Sequence, residues 1–236
     1  MKLIAVISIA VLTSLAGLAL LGAFSANAEE TTLRIYLCRK AVPTGSGVYE
    51  DDHCRTLGGT TEYYREAEGI TPQTATSKAS KEFELEFQAV LIKCTTESSV
   101  STAWNPAKAS GEGKTTVTFG GCAVAKSAAC LPSKKIVTKE LSGKMEANAK
   151  LGNGVKFIPV SGTTVAVIQL GEECALGEEV ILKGTVFGVA KNEESALEFT
   201  NESTGLTVGV NTAKLRGSSI VQGEVAGVKH FDVEAP

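Results

Sequence analysis

Histidine and tryptophan are nearly absent from this chain of 236 residues, which holds only His53, His230 and Trp104 of the two types. Two histidines leave few bases for nucleophilic catalysis. No G-x-S-x-G elbow is present, and Ser46, in Gly45-Ser46-Gly47, reads as part of an ordinary loop. No CxxC occurs, so the cysteines lack the usual zinc spacing, and His53 beside Cys54 is the one juxtaposition that hints at a Cys/His site. Runs of Lys and Arg are missing too, which excludes a basic nucleic-acid face or a polybasic membrane patch. Beyond residue 28, no apolar run is long enough to span a bilayer. No dozen-residue stretch there carries an i, i+3, i+4 apolar stripe; at most, residues 103–113 could form one helical turn. Strand and helix do not alternate, which argues against a parallel α/β sheet.

What is present begins with an export signal. Lys2 supplies the positive start, residues 3–24 form an uncharged apolar run, and Ala26-Asn27-Ala28 supplies a small-x-small cleavage site. Residues 1–28 are therefore predicted to be a signal peptide, with Glu29 as the mature start. The run approaches the roughly 20 residues of a spanning helix, and membrane contact would follow only if it stayed uncleaved. Glu29-Glu30 is a poor stop signal, however, and Ser8, Thr13, Ser14 and Gly17 dilute the run. No cysteine precedes Cys38, which excludes a lipidated cysteine at the cleavage site. The mature charge is 22 basic residues (23 less Lys2) against 26 acidic, a mild −4.

All six cysteines, Cys38, Cys54, Cys94, Cys122, Cys130 and Cys174, follow the signal, and an even count behind an export signal implies three disulfides. Cys38 and Cys54 flank the turn-rich Pro43-Thr44-Gly45-Ser46-Gly47, and Cys122 and Cys130 enclose a short loop of small residues. Spacing thus points to Cys38–Cys54 and Cys122–Cys130, leaving Cys94 with Cys174, each just after an apolar run.

The remaining sequence alternates with the period of strands. Phe83, Leu85 and Phe87 face one way and Glu82, Glu84, Glu86 and Gln88 the other; the phase then changes near Gln88, as at a bulge or tight turn. Val117 and Phe119 alternate with threonines. Further strands are expected over 33–38, 62–65, 136–147, 155–158, 163–170, 179–189, 197–200, 206–210 and 219–233, rich in Val, Ile and Thr. Prolines and glycines fall between them. The prediction is an all-β domain over 29–236, an antiparallel sandwich or barrel stabilised by disulfides. Within it, 29–70 reads as a disulfide-closed N-terminal extension and the polar stretch 66–80 as a flexible connection.

Candidate chemistry is sparse. Gly113-Lys114-Thr115 resembles the end of a phosphate loop, but Lys108 stands where the first glycine belongs and Thr115 begins a strand. Glu50-Asp51-Asp52 could ligate calcium, though such ligands normally alternate along a loop. Glu82, Glu84 and Glu86 share one strand face and are the best pair-forming carboxylates for a glycosidase-like hydrolase. Trp104 is the candidate ligand contact, whereas Tyr63-Tyr64 points to two faces and makes no platform. Asn201-Glu202-Ser203 matches a glycan acceptor site.

The Cys38/Cys54 pair, Glu62-Tyr63-Tyr64, Leu91-Ile92-Lys93-Cys94, the Gly121-Cys122 to Cys130 loop and Val137-Thr138-Lys139-Glu140-Leu141-Ser142-Gly143 together form a pattern. It resembles that of a group of uncharacterised exported bacterial β-rich proteins with six cysteines. The resemblance implies an exported β fold and brings no activity with it. The reading is a secreted or cell-envelope binding or structural protein, not an enzyme, without cofactor or metal. Its partner would be a cell-surface polymer or a small apolar ligand, not nucleic acid, and the alternative is an extracellular hydrolase using paired carboxylates. A barrel cavity lined by Phe83, Phe87, Val117 and Phe119 would favour the apolar ligand.

Overall fold

The computed structural model describes residues 32–234 apart from 44, 53, 60, 67–72, 107–108, 127–128, 131, 192–193 and 224–227. The signal segment 1–28 and His53 lie outside the described residues, and His230 is described only through its backbone, opposite Cys38. The described residues form no α-helix. The strands are β1 (Arg34–Lys40), β2 (Tyr63–Glu66), β3 (Gln73–Phe87), β4 (Val90–Trp104), β5 (Glu112–Lys126), β6 (Lys135–Val137), β7 (Leu141–Asn148), β8 (Gly152–Pro159), β9 (Thr164–Gln169), β10 (Glu179–Lys191), β11 (Ala196–Phe199), β12 (Thr204–Val208), β13 (Asn211–Gly223) and β14 (Val228–Glu234). Every pairing is antiparallel.

The larger sheet closes on itself, because β10 pairs with β8 as well as with β12. Five long strands, β10, β13, β3, β4 and β5, run through the whole barrel. Short strands complete the ring at two levels. In one half β7, β8 and β11 bridge the gaps; in the other β6, β9 and β12 do so. Each half is thus an eight-strand ring, the size at which side chains fill the interior or leave room for one small ligand.

Irregular pairing marks the waist between the halves. The register shifts between Lys78 and Phe83 in β3 and at Arg216/Ser218 and Ser218/Ser219 in β13. Gly217 occupies that shift with φ 154°, and a Cβ there would stand 2.5 Å from the Phe83 ring. Glycine therefore lets the aromatic ring lie directly on the β13 backbone. In β4 the inward positions change from Val90, Ile92 and Cys94 to Glu97, Ser99 and Ser101, a change of phase across Thr95-Thr96.

The disulfides correct the predicted pairing. Cys38–Cys54 forms as expected, but Cys94 joins Cys122 and Cys130 joins Cys174. Cys94 and Cys122 are directly opposed in the β4–β5 hairpin, 4.0 Å apart at Cα, which leaves Cys122 no reach to its own loop. Cys130–Cys174 pins the loop after β5 to the loop after β9. This is the seam where, among the described residues, the segment around β6 meets β9 through the bridge Thr138–Ala166 and the bonds from Ser133 N to Gln169 O (3.1 Å) and Lys139 N to Val165 O (2.8 Å). Three disulfides are consistent with an extracytoplasmic compartment.

Two further expectations are corrected. Residues 73–80 are not a connection but the first half of β3, paired on both sides. No helical turn forms among the described residues of 103–113; Ala103 and Trp104 end β4, and Gly111 N donates to Leu33 O (2.8 Å) while its O accepts from Met145 N (2.8 Å).

The smaller sheet, β14-β1-β2, joins the N-terminal disulfide segment to the C-terminal strand. Asn105 clamps β1 to the barrel: its Oδ1 accepts from Ile35 N (3.0 Å) and its Nδ2 donates to Ile35 O (2.9 Å). Leu33 and Ile35, both fully buried, pack on Met145, Val155 and Leu197 and close the β7/β8/β11 end.

Candidate functional site

The interior holds a cavity of about 150 Å³. Its apolar walls include Phe83, Leu85, Val117, Phe119, Phe157 and Phe199, with Phe83 edge-on to Phe119 at a centroid distance of 5.1 Å. Phe87 does not line it; that ring is buried in the packed core beyond the waist. Side-chain volume explains the space. Around the β7/β8/β11 half the inward positions are small, among them Ala75, Ser77, Ser99, Ser101, Ala103 and Gly143. Farther into the other half the same circumference encloses Phe87, Val90 and Ile92, which do not line the cavity, whereas Ile136, Ile168 and Leu206 of that half belong to its wall. Small side chains on a ring of fixed diameter cannot meet in the middle.

A polar ladder crosses one wall. Ser219 on β13 and Ser77 on β3 donate to Glu97 on β4, the latter at 2.6 Å to Oε1, so each carboxyl oxygen has one hydroxyl partner. Ser77 meets Ser99 at 2.6 Å, Ser99 meets Ser101 at 3.3 Å, and Ser101 donates to Thr115 Oγ1 on β5 at 2.8 Å. Strand register assembles this chain, for Ser77 is opposite Ser99 and Ser101 is opposite Thr115. Each hydroxyl carries one proton and accepts others. The arm through Ser77 can therefore point toward an ionised Glu97 or, with Glu97 neutral, run away from it to Thr115.

Glu97 is only 5 % exposed. Burial pushes its carboxyl above the ordinary carboxylate range, opposed by the hydrogen bonds from Ser219 and Ser77 that pull it down. Among the described residues lining the cavity, no cation offsets its charge. Lys114 belongs to the wall, but its side chain is 49 % exposed and its Nζ stands 3.7 Å from Glu140.

The sequence-level candidates lie elsewhere. Glu82, Glu84 and Glu86 are on the outer face. Lys93 Nζ reaches Glu84 at 2.7 Å and Glu82 at 3.2 Å, and Arg216 reaches Glu84 at 3.0 Å and Glu86 at 3.9 Å. The Lys93 hydrogen bond holds the Glu84 carboxyl below its usual range. Trp104 is half-buried at the end of β4, opposite Glu112, and is not part of the cavity wall. Asp51 accepts from the backbone N–H groups of Arg55 (3.0 Å) and Thr56, which makes it a turn-forming acid. Gly113, Lys114 and Thr115 all lie within β5, without the helix a phosphate loop requires. Tyr63 is half-buried and Tyr64 exposed, on opposite faces of β2, while Arg65 stacks over Tyr36 and Tyr49 at 5.2 and 5.4 Å. Among the described residues, no group of three or more His, Cys, Asp or Glu could hold a metal ion.

Glu97 and its serines escape a reading of apolar alternation because their segment inverts the pattern. Val100, 67 % exposed, faces out, while Glu97, Ser99 and Ser101 face in. The available signal was an acid followed by hydroxyls at i+2 and i+4, within a stretch long enough to continue the strand from Cys94. Comparison with protein-family models, curated proteins and solved structures finds no match to this chain.

Proposed function

We propose that this chain is an exported, non-enzymatic binding protein that holds a small apolar ligand inside its barrel, in a secreted or cell-envelope setting. The cavity carries this reading. It lies inside the ring, extending from the small inward residues of the β7/β8/β11 half to Ile136, Ile168 and Leu206 of the other, and at about 150 Å³ it has the size of cavities that take benzene. The polarity of the wall agrees: apolar inside with one polar strip, and ion pairs such as Lys93–Glu84 outside, the reverse of a lipid-embedded barrel. Export is supported by the predicted signal over 1–28, by the pairing of all six cysteines and by the resemblance to exported bacterial β-rich proteins.

The alternatives have less behind them. A surface-polymer site would use exposed aromatic platforms, yet Trp104 is half-buried and the Tyr63/Tyr64 pair is split between faces. A hydrolase would need two carboxylates across a cleft, whereas the Glu82, Glu84 and Glu86 row is tied to Lys93 and Arg216 on an outer face.

Thermal unfolding of the oxidised protein with and without saturating benzene tests the cavity. The midpoint should rise by a few degrees, since a ligand that binds only the native state stabilises it. Val117→Phe, which places a ring in the space, should abolish the rise. No shift in the wild-type protein, or an equal shift in the variant, would refute the reading. For export, protein recovered from its host should begin at Glu29 and gain the mass of six hydrogens on reduction.

A further inference from the structure

We infer that the ligand is a small primary amine with an apolar body, its ammonium group seated on Glu97 and its hydrocarbon against Phe83, Phe119 and Phe199. This deepens the cavity reading and rests on it. Three observations point to a cationic head. First, among the described residues of the wall, Glu97 is the one side chain that can place a formal charge inside. Lys114 directs its charge to solvent beside Glu140, and Cys94 is held in a disulfide. Second, the partners of the carboxyl are two serine hydroxyls, one on each oxygen. A carboxylate oxygen accepts more than one hydrogen bond, so capacity remains on both oxygens, and no guanidinium or ammonium takes it up among the residues lining the cavity. Third, Ser99, Ser101 and Thr115 continue the polar strip from Glu97 along one wall. An ammonium has three donors and no acceptor. It is satisfied by one carboxylate oxygen and neighbouring hydroxyl oxygens, which is what this strip presents.

The groups facing Glu97 fix how binding depends on pH. From β3 it meets Ser77 and from β13 Ser219, and across the β4–β5 pair it stands opposite Phe119; the cavity wall around it includes Val117, Val221, Val155, Phe157, Leu197 and Phe199. None of these titrates. The charged residues of these strands, among them Lys78, Lys81, Glu82, Glu84, Glu86, Lys93, Lys114, Lys214 and Arg216, and Glu198 of β11, are exposed or paired on the outer face. Glu97 must be ionised to hold an ammonium group. An empty cavity favours the neutral acid, because burying the charge alone is costly, and the arriving cation offsets that cost. Binding of the amine is therefore coupled to loss of a proton from Glu97, and its affinity rises with pH until Glu97 is ionised in the free protein.

Benzylamine, benzyl alcohol and benzoate share one ring and differ only in the head group, which makes them suitable probes. Calorimetric titration of the oxidised full chain from pH 4.5 to 8 should show benzylamine binding at least about tenfold tighter than benzyl alcohol at the upper end. The preference should shrink as the pH falls, and benzoate should bind weakest of the three once ionised. Glu97→Gln should bring benzylamine down to the level of benzyl alcohol, leave benzyl alcohol within about threefold of its wild-type affinity, and remove the pH dependence. The wild-type pH profile decides the matter by itself should Glu97→Gln fail to fold. Equal binding of amine and alcohol at every pH, or unchanged amine binding by Glu97→Gln, would overturn the amine assignment while leaving the cavity reading intact. Failure of all three probes to bind the wild-type protein would overturn both.

Discussion

The two halves of the barrel solve one geometric problem in opposite ways. Both are closed by eight strands, and both share β3, β4, β5, β10 and β13. In the β6/β9/β12 half, Phe87, Ile92 and Leu170 are large, almost wholly buried and clear of the cavity, whose wall takes in Ile168 and Leu206 of the same half. In the β7/β8/β11 half the shared strands turn serine, alanine and glutamate inward, and space remains. Strand number sets the diameter, but the side chains chosen at inward positions decide whether that diameter becomes a core or a cavity. A function placed inside such a barrel therefore costs stability in one half, and the other half with its disulfides must supply it.

Truncation of a large side chain should expose this division most strongly. Phe87→Ala removes a ring from a filled space and should cost about 3–5 kcal/mol. The same change at Phe119, which is only partly buried on the cavity wall, should cost about 1–2 kcal/mol. Denaturant unfolding of both variants measures the contrast; equal losses would mean that the cavity wall is packed as tightly as the core around Phe87.

The disulfides offer the next largest test. Cys130–Cys174 closes a loop with a sequence separation of 44, worth about 4 kcal/mol in the chain-entropy model. Replacing both cysteines by alanine should cost about 3 kcal/mol and lower the melting midpoint by roughly 6–12 °C, because the β6–β9 seam keeps few backbone bonds of its own. The Cys94/Cys122 double replacement should cost about 2 kcal/mol, since β4 and β5 stay paired along their length. A larger loss at Cys94/Cys122 would show that the seam is not the weak point.

Enlarging a small residue separates the halves at lower amplitude. Ala213, fully buried opposite Phe87, has no room, so Ala213→Val should destabilise by about 1–3 kcal/mol. Ala75 borders the cavity, and Ala75→Val should stay within about 1 kcal/mol of wild type or improve on it. Comparable losses at both sites would indicate a cavity too rigid or too narrow to accept a methyl group.

The same division governs what could be read from the chain beforehand. The second half of β3 was legible: Phe83, Leu85 and Phe87 alternate with glutamates, and the turn at Gln88 follows from the change of phase. The first half was not. Residues 73–80 looked like a connection because small polar residues line a cavity and a solvated loop equally well. The cysteine pairing failed for a related reason. Once residues 95–104 are seen to continue β4, Cys94 and Cys122 stand at equal distances from the middle of the turn and must face each other. Without that strand, nothing in the sequence keeps Cys94 from crossing the core to Cys174.

The smallest effect comes from the carboxyl that distinguishes the two halves. Unfolded, Glu97 titrates near its ordinary value of 4.5; folded, burial raises it. Below the unfolded value it is protonated in both states and adds no pH dependence. Between the unfolded and folded values the native state holds the extra proton, so stability falls as the pH rises, and above the folded value the loss is complete. Glu84 is shifted the opposite way by its hydrogen bond to Lys93, and its contribution disappears on acidification. The whole-protein curve therefore mixes the two signs, and the difference between wild type and Glu97→Gln isolates one. In ligand-free protein, that difference should grow in favour of the variant as the pH rises from about 4.5, then level off. A difference that stays constant from pH 4 to 8 would mean that the ladder stabilises the ionised acid as well as water does, and that a cation would gain nothing by entering.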